Sequence, residues 1–505
     1  MIKNVLEYLE ESVRRFPEKV AFADENSSCT FSEIYQQSQR VGSSLAQKIT
    51  PGFPVPVWME KGTKTIAAFM GILQAGGFYV LLDTKQPIFR MHQILDTLQA
   101  KVIVSSREYE DELQQAGFAG EILWMEDLLE AEIHRELLEK IRKNGKDTDP
   151  LYGIFTSGST GVPKGVVVCH RSVIDFIENF TEIFHITQED VIGNQAPWDF
   201  DVSVKDIYSG LKTGARVEII PKKMFSFPTQ LLDFLEERQV TTLIWAVSAL
   251  CIISTLHGFD YKVPVSVQKV LFSGETMPVK HLNIWRSYLP DAMYVNLYGP
   301  TEITCNCTYH VIEREYGEGD KIPIGKPFPN EKVFLLDEEN REIRECDREG
   351  EICVAGTALA LGYYRNPEQT ARAFVQNPLN DRYPERIYRT GDMGYYGRDG
   401  NLYFVSRKDF QIKHMGHRIE LGEIEGVMEQ LEEVSRACCV FDEEKKKILG
   451  FYKGAIEKRE LKRKMGEKLP MFMLPNRFCQ VEQMPLTKNG KIDRKRLMEE
   501  MKGEK

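Results

Sequence analysis

The sequence has no excess of positive charge, no cysteine pairing pattern, no internal repeat and no unbroken apolar run long enough for a bilayer. Its 505 residues carry 65 Lys and Arg against 75 Asp and Glu, a net charge of −10. A general nucleic-acid binder needs a basic field to displace counterions from phosphates, so no nucleic-acid partner is expected. The ten cysteines, at 29, 169, 251, 305, 307, 346, 353, 438, 439 and 479, are scattered. No leader with a basic start, apolar middle and small-residue cleavage site precedes them, so a reducing cytoplasm is expected. Cys305, Cys307 and His310 lack a second ligand pair at structural-zinc spacing and read as ordinary strand residues. The longest apolar stretch, Thr65 to Leu82, contains Gln74 and a Gly76-Gly77 break before Phe78-Tyr79-Val80. It reads as a helix, a glycine stop and a buried strand, without membrane insertion.

What is present is a chain that is 42% hydrophobic and 28% charged, enough for two or three globular domains. Leu6 to Arg15 has helical spacing, Val20 to Ala23 reads as a strand, and Thr30 or Ser32 caps a further helix. Candidate strands at Val55 to Met59, Val102 to Ser105, Ala215 to Ile220, Thr242 to Trp245, Lys269 to Phe272 and Tyr294 to Asn296 continue the alternation. That rhythm predicts βαβ units and a mostly parallel sheet. From about residue 320, short alternating runs such as Lys332 to Leu336, Gly350 to Val354 and Leu402 to Val405 predict an antiparallel, barrel-like portion. A boundary is expected at 408/409. Beyond Asp409 there are 14 Lys and 7 Arg against 17 Asp and Glu, a balance of +4, which leaves −14 for the rest. Either two bodies meet at a shared anion or the surface charge is simply uneven.

Thr156-Ser-Gly-Ser-Thr-Gly-Val-Pro-Lys-Gly165 lies between two strand-like runs. Its glycines let backbone N–H groups approach phosphate oxygens, and Lys164 adds a point charge. The lysine precedes glycine rather than Ser or Thr, so this is not a Walker loop. In order there follow Asn296-Leu-Tyr-Gly-Pro-Thr-Glu302, Tyr388-Arg-Thr-Gly-Asp392 with its carboxylate after a turn, Ser406-Arg-Lys-Asp-Phe-Gln-Ile-Lys413, and Pro485-Leu-Thr-Lys-Asn-Gly-Lys491.

These five motifs, in this order and over nearly the whole chain, resemble the adenylate-forming superfamily of acyl-CoA synthetases, luciferases and nonribosomal peptide synthetase adenylation domains. The resemblance implies a large α/β core, residues 1–408, and a small mobile α+β domain, 409–505. Asn194-Gln-Ala-Pro-Trp-Asp-Phe-Asp-Val-Ser-Val-Lys-Asp-Ile-Tyr208 is similar to the amino-acid-activating branch, in which Asp201 would hold the substrate ammonium. With Phe272-Ser-Gly-Glu275 and no appended carrier domain, the wording is especially similar to the free-standing D-alanine:carrier-protein ligases. An acyl-CoA synthetase remains the competing class, disfavoured by Asp201.

For the single residues the resemblance implies ATP and Mg²⁺ as cofactors. Tyr298 would stack on adenine and Asn296 would bond its amine, with Gly299 in the turn beyond. Asp392 would accept from the ribose hydroxyls, with Arg407 either assisting or an ordinary surface arginine. Glu302 would hold Mg²⁺, and Thr301 would touch the α-phosphate. Thr156, Ser157, Gly158, Ser159, Thr160 and Lys164 would hold the outer phosphates. Lys491 would bridge carboxylate and phosphate as the catalytic lysine. Asp409 would be the pivot of the small domain, and the loop with Gly416 would face an incoming phosphopantetheine thiol. The implied partners are an amino acid and a phosphopantetheinylated carrier protein in trans, with the enzyme a monomer.

By offset, the side-chain pocket would include Val202, Lys205, Ser248, Leu271, Ser273, Leu297, Cys305 and Asn306. Ser273 stands where D-alanine enzymes typically have cysteine, and Lys205 where they have an apolar residue. Lys205 lies one helical turn beyond Asp201. Three readings stay open: a pair with Asp201, an outward side chain, or a partner for an acidic substrate. Leu81 also departs from a usual proline, far from the motifs.

Overall fold

The computed structural model describes residues 2–158, 162–443, 445–486 and 492–503. The chain divides into two compact units. The first comprises Met1–Asp83, Ala100–Ile154 and Val166–Lys408; the second comprises Thr84–Gln99, Phe155–Gly165 and Asp409–Lys505. The division after Lys408 is thus joined by two earlier segments, so the second unit is discontinuous in sequence.

In the first unit, helix α1 (Phe31–Leu45) opens on a capping box: Glu33 donates its N–H to Thr30 Oγ1 at 3.1 Å, and Thr30 donates its N–H to the Glu33 carboxylate at 2.8 Å. Helix α2 (Thr63–Gln74) is the first half of the long apolar stretch and is buried on nearly all sides. Gly76, at φ +76°, stops it, and the buried strand Phe78–Leu82 follows, as the sequence predicts. The two helices approach through glycine: a Cβ on Gly71 would lie 2.4 Å from Val41 Cγ1. This close contact explains why so apolar a run serves as core.

The strands build two large sheets. Seven strands run in the order Gly362–Tyr363, Lys164–Cys169, Pro150–Thr156, Phe78–Leu82, Pro54–Trp58, Val102–Ser105 and Glu121–Trp124. A nine-stranded sheet pairs Val20–Ala23, Arg216–Ile219, Val191–Asn194, Thr242–Ala246, β1 (Lys269–Ser273) and β2 (Met293–Tyr298) in parallel, in that spatial order. Helix α3 (Val202–Thr213) follows Val191–Asn194 in the chain. The carboxyl ends of parallel strands, where residues leave the ladder, are where such sheets present ligand-binding groups. Beyond residue 320 a six-stranded sheet is antiparallel throughout its pairings. The predicted change from parallel to antiparallel pairing therefore holds. A continuous apolar core runs beneath these layers, from Val5 to Leu402.

The second unit has its own core around Ile424, Met428, Tyr452 and Leu461. It contains a three-stranded sheet, Val434–Asp442, Lys447–Gly454 and Arg477–Gln480, and the hairpin β3 (Gln411–His414) and β4 (His417–Glu420). Met415 and Gly416 turn that hairpin with φ of +53° and +80°, the left-handed pair that matches strand twist.

Candidate active site

The segment from Asn296 to Asn306 is the spine of the site. β2 ends at Tyr298, and Gly299 passes directly beneath the returning chain: a Cβ there would lie 2.5 Å from Asn306 Cα and 2.6 Å from the Cys305 carbonyl oxygen. Only glycine allows this approach. The return itself uses two consecutive left-handed residues, Thr304 at φ +51° and Cys305 at φ +76°. A β-branched residue there is strained, and such strain concentrates at functional sites. Thr304 is held by its hydroxyl donating to the Ala358 carbonyl at 2.7 Å, and Cys305 by its thiol donating to the Asp201 carbonyl at 2.8 Å. Burial pushes the Cys305 thiol well above its ordinary pKa, which keeps the donor proton in place.

Asp392 is buried and bound from two sides. Tyr298 donates its hydroxyl to one carboxylate oxygen at 2.5 Å, and Arg407 donates to the other at 2.6 Å. The sequence places Asp392 after a turn; the structure instead places it within the strand Arg386–Tyr396, directly opposite Arg407 on Leu402–Arg407. Gly391, at φ +72°, supplies the local irregularity that resembles a turn in sequence. Arg407 is therefore a largely covered cross-strand partner, with a side chain 11% exposed, and not an ordinary surface arginine. Burial and then the Asp392 carboxylate push the Tyr298 hydroxyl far above its usual value, so it remains a donor. Asn296 spends an amide proton on the Pro323 carbonyl at 2.7 Å, which orients the side chain.

Glu302 is fully buried in the short 3₁₀ turn Thr301–Ile303, which begins with Thr301. Tyr363 donates its hydroxyl to Glu302 at 2.7 Å. The burial of Glu302 excludes a surface salt bridge. Tyr363 is a site residue that sequence reasoning missed, because nothing in Gly362-Tyr363 marks a contact 61 residues away.

Hydrogen bonds bring three of the pocket candidates, Lys205, Ser273 and Asn306, together from different elements. Lys205, on α3, has no exposed surface; its ammonium donates to Asn306 Oδ1 at 2.8 Å and to Ser273 Oγ at 3.4 Å. Ser273 ends β1, two residues beyond the buried Leu271, and Leu297 is buried in β2. Asp201 and Val202 form the start of α3. Ser248, near the start of the helix Val247–Thr255, is half-buried and forms no hydrogen bond to this group. The outward reading of Lys205 is overturned by its burial, and the Asp201 charge acts on its ammonium.

A second polar knot lies on the same helix. Asn194 donates to the Asp206 carboxylate at 2.5 Å, and the Lys61 ammonium donates to Asn194 Oδ1 at 2.9 Å and to the Gln195 carbonyl at 3.1 Å. Burial drives both ionisable groups toward neutrality, Asp206 up to about 7 and Lys61 down to about 7. Lys61 was not legible as a site residue because it stands alone in a loop, 133 residues from Asn194.

The described part of the glycine loop belongs to the second unit. Thr156 closes the strand Pro150–Thr156, and its buried hydroxyl oxygen has no hydrogen-bond partner among the described residues. Ser157 donates to the Arg418 carbonyl at 2.9 Å and accepts from the Glu420 N–H at 3.2 Å. Gly158 donates its N–H to the Glu423 carboxylate at 3.2 Å, and Glu423 also pairs with Arg90. A carboxylate thus binds the kind of backbone donor expected for a phosphate, which fits an anion-holding loop. Lys164 is buried and begins the strand Lys164–Cys169. Ser159, Thr160 and Lys491 lie outside the described residues. Asp409, the first residue of the last segment of the second unit, is exposed and accepts from the Gln411 N–H at 3.2 Å.

Residues 9–364 match the AMP-binding enzyme family, and residues 423–491 match the AMP-binding enzyme C-terminal domain. The chain is 35% identical to zwittermicin A synthase ZmaJ of Bacillus cereus over 500 residues, covering 96% of this chain and 93% of that protein. It is 31% identical to tyrocidine synthase 1 of Brevibacillus parabrevis over 503 residues, spanning 98% of this chain and 45% of that protein. An artificially fused adenylation–PCP di-domain from Klebsiella oxytoca shares the fold, with a TM-score of 0.81 at 22% identity over 95% of this chain and 94% of that one. The narrower likeness to D-alanine:carrier-protein ligases is not confirmed by these relatives. The chain belongs to the AMP-binding enzyme family and is an AMP-forming ligase of the adenylation-domain kind.

Proposed function

We propose that this protein uses ATP to convert an amino acid to its aminoacyl-adenylate and then passes the aminoacyl group to the phosphopantetheine thiol of a carrier protein in trans. The observation that carries the reading is the single segment 296–306. It supplies Asn296 and Tyr298 to the nucleotide set, Thr301 and Glu302 at its middle, and Cys305 and Asn306 to the substrate set. A substrate carboxylate and an α-phosphate would therefore meet along one stretch of backbone.

In this reaction a carboxylate oxygen bonds to the α-phosphorus, the bond to the pyrophosphate oxygen breaks, and the electron pair leaves with pyrophosphate. Asp392 accepts from the ribose hydroxyls while Arg407 orients the carboxylate. Tyr298 and Asn296 receive the base. Thr156, Ser157, Ser159, Thr160 and Lys164 hold the outer phosphates, and Lys491 bridges the reacting oxygens. Glu302 is a hard oxygen donor set inside the protein, which suits Mg²⁺, an ion that takes one or two protein carboxylates beside phosphate and water. Bound there, Mg²⁺ would neutralise charge on the phosphates. Asp201 holds the substrate ammonium, a group that an acyl-CoA synthetase would have no reason to bind. In the second step a thiolate forms the C–S bond and AMP leaves. The protein acts as a cytoplasmic monomer, with Asp409 as its pivot and the Gly416 hairpin toward the thiol. Among the described residues no helix is long and apolar enough to cross a membrane.

The test is amino-acid-dependent exchange of labelled pyrophosphate into ATP, followed by transfer to a holo carrier protein or to CoA. Exchange followed by carrier loading supports the reading. Efficient thioester formation with CoA alone would move the protein to the acyl-CoA synthetase class.

A further inference from the structure

Lys205 is an unusual residue to find without any exposed surface. An ammonium carries three N–H donors. Two are used, on the neutral oxygens of Asn306 and Ser273, and the third has no acceptor among the described residues. No carboxylate stands at ion-pairing distance among them either. Asp201 and Asp206 act on the ammonium only through their charge, without a direct ion pair, and Asp206 gives one oxygen to Asn194. Burying a charge without a directly bonded counter-ion is costly, and the site accepts that cost at a position flanked by Asp201, Ser273, Cys305 and Asn306.

We propose that Lys205 is the specificity residue of this pocket and that the substrate is an α-amino acid with a side-chain carboxylate, aspartate being the shortest. The inference rests on the adenylation reading above and names its substrate class. The ammonium, oriented by Asn306 and Ser273, provides its remaining donor and its charge to the substrate's side-chain carboxylate, while Asp201 takes the α-ammonium. The two charged substrate groups are thereby matched by opposite charges one helical turn apart on α3. Burial lowers the pKa of Lys205, and an arriving carboxylate would reverse that push. The strained return at Thr304 and Cys305 gains a purpose, since it is what delivers Asn306 Oδ1 to the lysine.

The experiment is pyrophosphate exchange on the full-length protein with aspartate, glutamate, asparagine, glutamine, serine and both alanine enantiomers. Aspartate or glutamate is expected to exceed its own amide in kcat/KM by about 10- to 100-fold, the scale of a lost hydrogen bond to a charged group. Lys205→Met should lower activity with the acidic substrate by a similar factor and leave KM for ATP unchanged. The amide comparison uses the unaltered protein, so a variant that fails to fold does not remove the test. Equal use of acid and amide, or exchange with neutral amino acids alone, overturns the inference while the adenylation reading stands. Exchange with no amino acid at all overturns both.

Discussion

At the residue scale, the chemistry rests on side chains held in place by what surrounds them. Asp392 is the clearest case, because the Tyr298 hydroxyl and the Arg407 guanidinium fix its carboxylate from two sides. Asp392→Asn should weaken binding of a non-hydrolysable ATP analogue by about tenfold or more, read by titration calorimetry; an unchanged Kd would remove the ribose role. Asp206 makes a prediction about pH. Burial pushes its pKa up to about 7, against about 3.9 in an unfolded chain, so the folded state keeps a proton that the unfolded state has lost. That contribution to stability is full below about pH 4 and is lost as pH rises through about 7. Asp206→Asn should flatten the corresponding fall in urea midpoint across this window, and an unaltered slope counts against the assignment. Asp206 was legible as a helical residue but not as a buried acid, because burial depends on which helix face meets the sheet.

At the element scale, glycine decides two arrangements. α1 and α2 pack across Val41 and Gly71 with no room for a Cβ. Gly71→Val should lower stability by about 1–3 kcal/mol through overpacking, measured by chemical denaturation. A variant as stable as the parent would show that α1 can shift aside. The β3–β4 hairpin depends on Gly416 at φ +80°. Gly416→Val should slow carrier aminoacylation while leaving pyrophosphate exchange near its original rate, if the hairpin serves the thiol step; equal loss of both rates excludes that role. The apolar helix, its glycine stop and the next strand could be read from the sequence, since local patterning and left-handed glycine determine them. The Asp392 strand could not, because Thr-Gly-Asp has the wording of a turn and only pairing with Leu402–Arg407 makes it a ladder.

At the scale of the whole molecule, the two half-reactions make different demands on the last segment of the chain. Lys491→Ala should abolish adenylate formation yet leave thiolation from supplied adenylate nearly intact, as followed by single-turnover transfer to a holo carrier. Comparable loss in both steps would falsify its assignment as the bridging lysine. The charge balance is +4 beyond residue 409 and −14 up to it, so the segment that would bring that lysine to an anionic nucleotide carries the excess of positive charge.

The sequence by itself determined the element order, the change from parallel to antiparallel strands, and the motifs that identify an AMP-forming ligase. These depend on local periodicity, turn chemistry and residue types at short spacing. Only the tertiary structure decided that Arg407 belongs to Asp392, that Tyr363 reaches Glu302, and that Lys205 points inward to Ser273 and Asn306. Each of those contacts joins distant parts of the chain, and its energetic meaning comes from burial, which a one-dimensional pattern does not specify.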